Sequence, residues 1–312
     1  MAQTITLGDV TITRIVEWEG DIAPALDVVP GSTPELWEEN RSWLAPDFWD
    51  PETGLYRAHM QTWVVRSEGK TILVDTGAGN DKERPYLPVL SRLDTGFLDD
   101  LAQAGVRPED VDYVINTHVH ADHVGWNTVL ADREWVPTFP NAKYLINKTD
   151  FEFWNPVNGT DRKAVAFGLP AHLGNQNMFE DSVAPVHQAG QAVLWEDAYV
   201  IDANLRLDVA PGHTPGSAVV TLRSGTDSAV FVGDMMHSPV QILDPDLHTC
   251  FDEEPKEAGA TRRRVLEWAA DHNSLVLPAH FPGAGAAEVR RTGSRFEIKE
   301  WAAFGPEENA AG

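Results

Sequence analysis

Residues 118–123 constrain this chain more than any other part of its sequence, because they place three histidines and an aspartate within six positions. The run reads His-Val-His-Ala-Asp-His and follows residues 113–115, an apolar segment that predicts a buried strand. Three imidazoles so close together compete for protons unless a cation holds them neutral. Chance seldom produces this spacing in a chain with 11 histidines. A metal site at the end of a strand explains it.

Alternate residues of this loop can face different ions, His118 and His120 one ion, and Asp122 and His123 a second. A catalytic zinc takes three or more protein ligands and leaves one position open for water, so the rest of the chain must add donors. Three further donors each follow or end a predicted strand: His213, Asp234 and His280. The sequence therefore predicts a metal site assembled from distant segments.

The chain's only cysteine, Cys250, cannot form an internal disulfide or a thiolate metal site, so histidines and carboxylates must hold any metal. A reducing compartment fits this cysteine usage, and residues 1–10 show no secretory signal, so the cytoplasm is the expected location. The net charge of -24 opposes the phosphate attraction on which nucleic-acid binding depends. No apolar run approaches the roughly 18 residues of a membrane helix, so no membrane partner is expected.

Strand patterns come in two batches, and each batch is followed by helix, which is typical of an α/β fold. The first batch predicts strands at 4–7, 10–16, 61–66, 71–74 and 113–115. The second batch predicts strands at 205–209, 218–222 and 229–232, then a helix at 257–272 and a strand at 274–277.

Residues 20–60 differ in character, because prolines interrupt a stretch that is still rich in aromatic residues. We expect an irregular N-terminal extension packed on the domain surface, with the rim of a pocket or the arm of a dimer as alternatives. Together with this extension, residues 1–312 are predicted to form a single domain.

Five motifs, in their order along the chain, resemble those of the metallo-β-lactamase superfamily of binuclear hydrolases. They are Val74-Asp75-Thr76-Gly77, His118-Val119-His120-Ala121-Asp122-His123, Gly212-His213-Thr214-Pro215-Gly216, Gly233-Asp234 and Ala279-His280. The resemblance covers roughly residues 60–285, which it makes the metal-binding core. It implies a four-layer αββα sandwich with the site at one edge.

The resemblance also implies two divalent metal ions, with zinc the favoured metal. The implied ligands are His118, His120 and His213 for one ion, and Asp122, His123 and His280 for the other. Asp234 would bridge both ions beside a bridging hydroxide, and Asp75 would orient the ligand loop. Histidine and carboxylate donors suit zinc, manganese, iron and cobalt alike.

Within the superfamily, the chain resembles the branch of N-acyl homoserine lactonases and methyl parathion hydrolase, whose substrates are neutral and partly apolar. Zinc β-lactamases and phosphodiesterase nucleases act on anionic substrates, which the acidic charge balance disfavours. Glyoxalase II carries a basic helical C-terminal domain, and few residues follow His280 here. One departure concerns His237, which stands three positions after Asp234, where the lactonases carry a tyrosine. This departure leaves acyl homoserine lactone specificity open.

The resemblance implies a hydrolase that opens a neutral lactone or ester by attack of a metal-bridging hydroxide. Hydrolysis of organophosphate triesters at the same site, oxidation at a single iron and an inactive scaffold are the alternatives. Asp122 is expected to accept and return a proton, and His237 to contact the substrate. The expected partner is a small, partly apolar substrate, and a homodimer is left open.

Three aromatic residues near the ligand loops, Trp126, Trp154 and Phe281, are open to two interpretations, core packing and pocket lining. The run 262–264 is all arginine and lies on a predicted helix, where successive residues point about 100° apart, so a solvated face is favoured over an anion clamp. The remaining histidines are expected to be structural or surface residues: His59, His172, His187, His248 and His272.

Overall fold

The computed structural model describes residues 3–306, and two β-sheets dominate them. The strands are β1 (Gln3–Leu7), β2 (Val10–Pro24), β3 (Leu55–Ser67), β4 (Lys70–Val74), β5 (Tyr113–Ile115), β6 (Thr128–Ala131), β7 (Glu134–Pro137), β8 (Lys143–Asn147), β9 (Val165–Ala166), β10 (Leu169–Pro170), β11 (Ala192–Trp195), β12 (Ala198–Val200), β13 (Leu205–Val209), β14 (Ala218–Ser224), β15 (Asp227–Gly233), β16 (Leu275–Pro278), β17 (Ala287–Thr292), β18 (Arg295–Trp301) and β19 (Gly305–Pro306).

Helices lie between these strands. The α-helices are α1 (Ala25–Val28), α2 (Pro34–Glu39), α3 (Arg41–Leu44), α4 (Phe97–Gln103), α5 (Lys148–Trp154), α6 (Ala184–Gln188), α7 (Val240–Leu243) and α8 (Pro255–His272). Short 3₁₀ turns occupy Pro88–Leu90, Pro108–Asp110, Gly125–Asn127, Pro156–Asn158 and Ala171–Asn175, and a π-helical turn covers Phe179–Val183.

The two large sheets pack face to face. Their strand orders are β11-β8-β5-β4-β3-β2-β1-β19 and β12-β13-β14-β15-β16-β17-β18. On β15, Ala229 and Phe231 pack between the sheets, whereas Val230 and Val232 join the outer layer, as the alternation of a strand requires. Residues of α4, α5 and α6 cover the outer face of the first sheet, and α8 covers that of the second. The predicted four-layer αββα sandwich is confirmed.

Parallel pairing brings the carboxyl ends of four strands to one edge of this sandwich. In the first sheet, Val74 of β4 pairs with Ile115 of β5. In the second sheet, Gly233 of β15 pairs with Pro278 of β16. The chain leaves each of these strands at the same edge, so the loops that follow them meet there.

The prediction of an irregular, surface-packed segment at 20–60 is wrong. β2 continues to Pro24, the helices α1, α2 and α3 follow, and β3 begins at Leu55. Pro34 occupies the first turn of α2, where a proline costs no hydrogen bond, so this proline marks the start of a short helix. Trp37 and Leu44 are buried in the same apolar cluster as residues of α8. The segment is therefore part of the outer layer of the core.

The arginines of α8 separate into buried and exposed side chains, contrary to the expected solvated face. Arg262 is fully buried and donates hydrogen bonds to the carbonyl oxygens of Met235, Pro245 and Leu247. Arg263 instead pairs at the surface with Asp246. Within residues 3–306, no helix has the length and apolar character needed to cross a bilayer.

Candidate active site

Loops from both sheets bring all the predicted donors together at the edge where the strands end. The ligand loop 118–123 follows β5, and His213 lies between β13 and β14. Asp234 follows β15, and His280 follows β16. These side chains are buried, except that of Asp122, which is 18% exposed.

His118, His120, His213 and Asp234 form the first group, and their candidate ligand atoms all lie within 4.8 Å of one another. His120 Nδ1 is 3.0 Å from His118 Nε2 and 3.1 Å from His213 Nε2. Asp234 Oδ2 is 3.4 Å from His213 Nε2 and 3.7 Å from His118 Nε2. Three ring nitrogens and a carboxylate oxygen thus converge on one small volume.

Asp122, His123 and His280 form the second group, again with ligand atoms within 4.8 Å of one another. His280 Nε2 is 3.4 Å from Asp122 Oδ2. Asp234 Oδ1 is 3.0 Å from His280 Nε2 and 3.2 Å from His123 Nε2. The two oxygens of Asp234 therefore face different groups, Oδ2 the first and Oδ1 the second.

The opposite ring nitrogens of three histidines are held by acceptors behind the site. The pairs are His123 Nδ1 with Asp75 Oδ2 at 2.9 Å, His213 Nδ1 with Asp252 Oδ1 at 2.9 Å, and His280 Nδ1 with the His59 carbonyl oxygen at 2.8 Å. Such an acceptor fixes the proton on Nδ1 and leaves the lone pair of Nε2 directed at the site. The rings are oriented as metal ligands need to be.

Two buried atoms at the centre of the cluster, His123 Nε2 and Asp234 Oδ1, make no hydrogen bond of acceptable geometry, although they lie 3.2 Å from each other. Leaving a buried polar atom unpaired costs about 1–3 kcal/mol, so the cluster needs a further species to satisfy these atoms. Imidazole and carboxylate donors in two adjacent groups fit two divalent metal ions.

Burial and mutual contact set the charges of the cluster. Burial, with the imidazoles of His123 and His120, holds the pKa of His118 well below its ordinary value. Burial by itself raises the pKa of Asp234, but the imidazoles of His123 and His280 outweigh that effect and hold the pKa well below the ordinary value. Asp234 is therefore ionised and offers negative charge to bound cations.

Sequence reasoning missed two buried carboxylates that hold the ligand loops. Asp252 supports His213, and Asp150 joins the loop of His213 to the ligand loop. Asp150 accepts three hydrogen bonds: from Val119 N at 2.9 Å, Thr214 Oγ1 at 2.8 Å and Gly216 N at 2.7 Å. A Cβ on Gly216 would lie 2.4 Å from Asp150 N, so the motif glycine permits this close approach. Neither acid has a distinctive sequence pattern, because Asp150 lies near the start of a helix and Asp252 lies within a run of acidic residues.

His237 lies beside the cluster, where the sequence placed it. Its Nε2 is 3.1 Å from Asp234 Oδ2, and its ring stacks on that of His280 with the centroids 5.4 Å apart. Tyr56 donates its hydroxyl to the His237 carbonyl oxygen at 2.8 Å, which fixes the backbone at this position. His237 Nδ1 is buried without a hydrogen-bond partner. Its role toward substrate stays a prediction.

A cavity of about 230 Å³ opens onto the donors. We call its lining segments 86–90 and 166–175 the cavity wall; they contribute mainly apolar side chains. Tyr56, from the stretch first assigned to the surface, and Phe251 complete the lining near His237. A mostly apolar cavity with a few polar groups at one end is the usual form of a small-molecule site.

Of the three aromatic residues near the ligand loops, Trp154 lines this cavity, with its ring 5.1 Å from that of His120. Trp126 stacks on Phe97, and Phe281 packs edge-on against Phe48, so both belong to the core. One expectation needs correction, because His172, assigned a structural or surface role, also lines the cavity.

The sequence model of the metallo-beta-lactamase superfamily matches residues 61–280. This match covers more than half of the chain and contains the seven donors. The chain belongs to the metallo-beta-lactamase superfamily, and the resemblance of its motifs is confirmed.

Among its relatives, N-acyl homoserine lactonase AttM of Agrobacterium fabrum is 34% identical over 208 residues, which are 64% of this chain and 69% of AttM. N-acyl homoserine lactonase AiiA of Bacillus thuringiensis subsp. kurstaki is 22% identical over 231 residues, 70% of this chain and 79% of AiiA.

Among solved structures, the hydrolase AbOPH has a TM-score of 0.78 at 23% identity, with 98% of each chain covered. AidC, a dizinc quorum-quenching lactonase in complex with a product, has a TM-score of 0.74 at 21% identity, with 99% of this chain and 98% of AidC covered.

Proposed function

We propose that this protein is a metal-dependent hydrolase that opens a neutral lactone. One observation carries the proposal: two adjacent donor groups share the carboxylate of Asp234 at the end of a mostly apolar cavity. The superfamily includes many reactions, so the cavity and the relatives must indicate the substrate. Two relatives, AttM and AiiA, are N-acyl homoserine lactonases, which favours a lactone over other esters.

The two donor groups would hold two divalent ions, and zinc suits their imidazoles and carboxylates. We assign His118, His120 and His213 to one ion, Asp122, His123 and His280 to the other, and Asp234 to both. When bound, such cations supply Lewis-acid chemistry by lowering the pKa of a water and polarising a carbonyl.

Asp122 is the residue best placed to move the proton. It is the most exposed of the donors, and it lines the cavity. Its carboxylate can accept a proton from the attacking water and return it to the leaving ring oxygen. Water adds to the carbonyl carbon, the bond from that carbon to the ring oxygen breaks, and a hydroxy acid results.

His237 would recognise the substrate by a hydrogen bond from its ring to the carbonyl oxygen or to the leaving oxygen of the lactone. Its ring lies between those of His280 and Phe251, with centroids 5.4 and 5.5 Å away, so its orientation is fixed before substrate arrives. His237 also lines the cavity, and a hydrogen bond from its ring made only in the transition state would raise kcat rather than binding alone.

Neutral substrates suit the charges of this cavity. Its polar lining includes the carboxylates of Asp122, Asp234 and Glu253, and the whole chain carries a net charge of -24. Two bound dications would offset the carboxylates of the donor groups, but Glu253 lies outside those groups, and burying an anionic arm beside it among apolar side chains costs free energy. A dianionic ester should therefore be a poorer substrate than a neutral lactone with a similar leaving group.

The test is a substrate panel assayed together with metal content. Protein stripped with a chelator is reloaded with zinc, manganese or iron, and a lactone, an aryl ester and a phosphotriester are followed by acid release. We expect two metal equivalents, and faster turnover of the lactone than of the other two. A phosphotriester turned over faster would replace lactone hydrolysis as the function. One bound iron without hydrolysis would indicate an oxidoreductase, and no bound metal would indicate an inactive scaffold.

The homodimer and the cytoplasmic location stay predictions. The subunit mass of 34.4 kDa allows light scattering of the purified protein to distinguish a monomer from a dimer. Fractionation of the native cells, with detection of this chain, tests the location.

A further inference from the structure

Glu253 is a buried carboxylate in the lining of the cavity, and none of the proposed catalytic steps uses it. The residue is 6% exposed and lines the cavity together with its neighbour Phe251. Its backbone N–H donates to the carbonyl oxygen of His213 at 3.0 Å, which ties it to the loop of a proposed metal ligand. The position of this carboxylate relative to the donor groups is therefore fixed.

One oxygen of Glu253 anchors a hairpin of the cavity wall. Oε2 accepts hydrogen bonds from Lys163 N at 2.6 Å and Ala164 N at 3.1 Å. These residues directly precede the hairpin of β9 and β10, whose turn carries Phe167 into the cavity lining. Two backbone N–H groups stabilise the negative charge, which explains how a carboxylate persists among apolar side chains.

The other oxygen has no such partner. Among residues 3–306, Glu253 Oε1 receives no hydrogen bond, because both bonds to this side chain end on Oε2. The nearby guanidinium of Arg162 lies over the ring of Trp154 at 4.9 Å and acts on Glu253 through charge alone. Oε1 is thus a strong acceptor without a donor, on a residue that lines a mostly apolar cavity.

We propose that Glu253 is a specificity-determining residue, whose Oε1 accepts a hydrogen bond from an N–H or O–H group on the substrate's side arm. This inference rests on the proposed lactone hydrolysis and narrows its substrate class. The enzyme selects neutral lactones that carry a hydrogen-bond donor on the arm occupying the cavity. A lactone with a plain alkyl arm leaves the carboxylate desolvated and unpaired, and it is discriminated against for that reason.

The experiment uses two lactones that differ in one group. One carries an acylamino arm on the ring, and in the other a methylene replaces the N–H, with the same carbonyl and chain. We measure kcat/KM for both with the metal-loaded wild type and with Glu253→Gln. The amide oxygen of this variant can still accept from Lys163 and Ala164, while its NH₂ group replaces the oxygen that receives no hydrogen bond. We expect the wild type to have the higher kcat/KM for the N–H lactone. In Glu253→Gln the ratio of kcat/KM for the two lactones should fall at least tenfold, mainly because KM for the N–H lactone rises.

Glu254→Gln is the matched control, because it removes the same charge one residue later from an exposed side chain that pairs with Lys163 at the surface. Its preference should equal that of the wild type. The ratio of two substrates on one enzyme is independent of the active fraction, so partial unfolding or metal loss does not imitate the effect. Should Glu253→Gln not fold, Glu253→Asp, which withdraws the oxygens by one methylene, provides the comparison and should also lose preference.

The possible outcomes separate this inference from the proposed function. If the wild type hydrolyses both lactones and Glu253→Gln keeps the same ratio within twofold, the role of Glu253 is wrong while lactone hydrolysis stands. If the metal-loaded wild type hydrolyses neither lactone, the proposed function itself is wrong.

Discussion

The donor cluster and the cavity wall adjoin each other but are built in opposite ways. The donors follow the ends of central strands, and several rings are fixed from behind, as His213 is by Asp252. The cavity wall consists of two 3₁₀ turns and the short hairpin of β9 and β10, and three of its side chains, Tyr86, Phe167 and Leu169, are about half exposed. The proposed chemistry would thus lie on the strand ends of the sandwich, and the proposed substrate selection on surface segments, which tolerate change.

The largest effect should come from removing a donor. His120→Ala and His213→Ala each remove one of the three ring nitrogens of the first group. The ion would then depend on two imidazoles and on the Asp234 carboxylate that both groups share, which weakens its binding and changes its geometry. We expect hydrolysis to fall by on the order of a thousandfold or more, with a loss of bound metal by elemental analysis and an unchanged circular dichroism spectrum. His272→Ala, at the exposed end of α8, is the control. Full activity with unchanged metal content in either donor variant would contradict the assigned site.

A smaller loss of metal affinity and activity is expected when a ligand histidine is kept but the hydrogen bond that orients its ring is weakened. Asp252→Asn weakens the acceptor behind His213, and such supporting groups are worth about ten- to a hundredfold in metal affinity or activity. Competition with a chromogenic chelator measures the affinity. Asp246→Asn changes an exposed acid paired with Arg263 and should have no effect. An affinity equal to that of the wild type would mean that the cluster does not depend on its supporting carboxylate.

His237 lies at the boundary between the two regions. His237→Ala should lower kcat/KM by roughly ten- to a hundredfold without loss of metal, if the ring makes a transition-state hydrogen bond of about 1.5–3 kcal/mol. If the ring only packs below the loop that follows β15, thermal stability falls while the kinetics stay the same. Measuring both quantities on one variant distinguishes these roles.

Substitutions in the cavity wall should change substrate preference and leave turnover and metal content unchanged. Phe167 is 48% exposed at the turn of its hairpin and packs edge-on against Phe251, so its truncation removes apolar contact without opening the core. Phe167→Ala should raise KM for long-chain lactones about three- to tenfold and leave kcat and metal content unchanged. A short-chain lactone provides the control substrate. A fall in kcat for both lactones would show that the wall also acts on the donor cluster.

The difference between the regions also explains what could be predicted from the sequence. Histidine spacing in the ligand loop and the apolar run of β15 before Asp234 are local signals, and they predicted the donors. The four-layer sandwich was implied by the resemblance of the motifs to those of the superfamily. Asp150 and Glu253 act through backbone N–H groups that are remote in sequence, and no local pattern marks such a partner. The prolines of 20–60 indicated breaks but not the short helices between them, because tertiary packing of residues such as Trp37 stabilises those helices.

The smallest effect should arise behind the cavity wall, in a buried charge cluster that joins the segment before residues 86–90 to the π-helical turn. Arg84 binds Asp181 through both carboxylate oxygens, at 2.5 and 2.9 Å. Lys82 Nζ donates to Thr128 Oγ1 at 2.5 Å and lies 3.5 Å from the ring centre of Trp135. Burial, aided by the charge of Arg84, lowers the pKa of Lys82 to about 7, although Asp181 opposes this shift.

The lowered pKa of Lys82 predicts a dependence of stability on pH with a definite sign. Between pH 7 and the ordinary lysine value of about 10.4, the unfolded chain binds a proton at this position that the folded chain releases. The contribution of Lys82 to the free energy of unfolding therefore rises with pH across that window. We expect a gain of about 1 kcal/mol between pH 7 and 8, which Lys82→Met abolishes and the exposed-site control Lys148→Met preserves. Urea unfolding at both pH values measures it, and an equal slope in Lys82→Met and the wild type would show that Lys82 stays protonated in the fold.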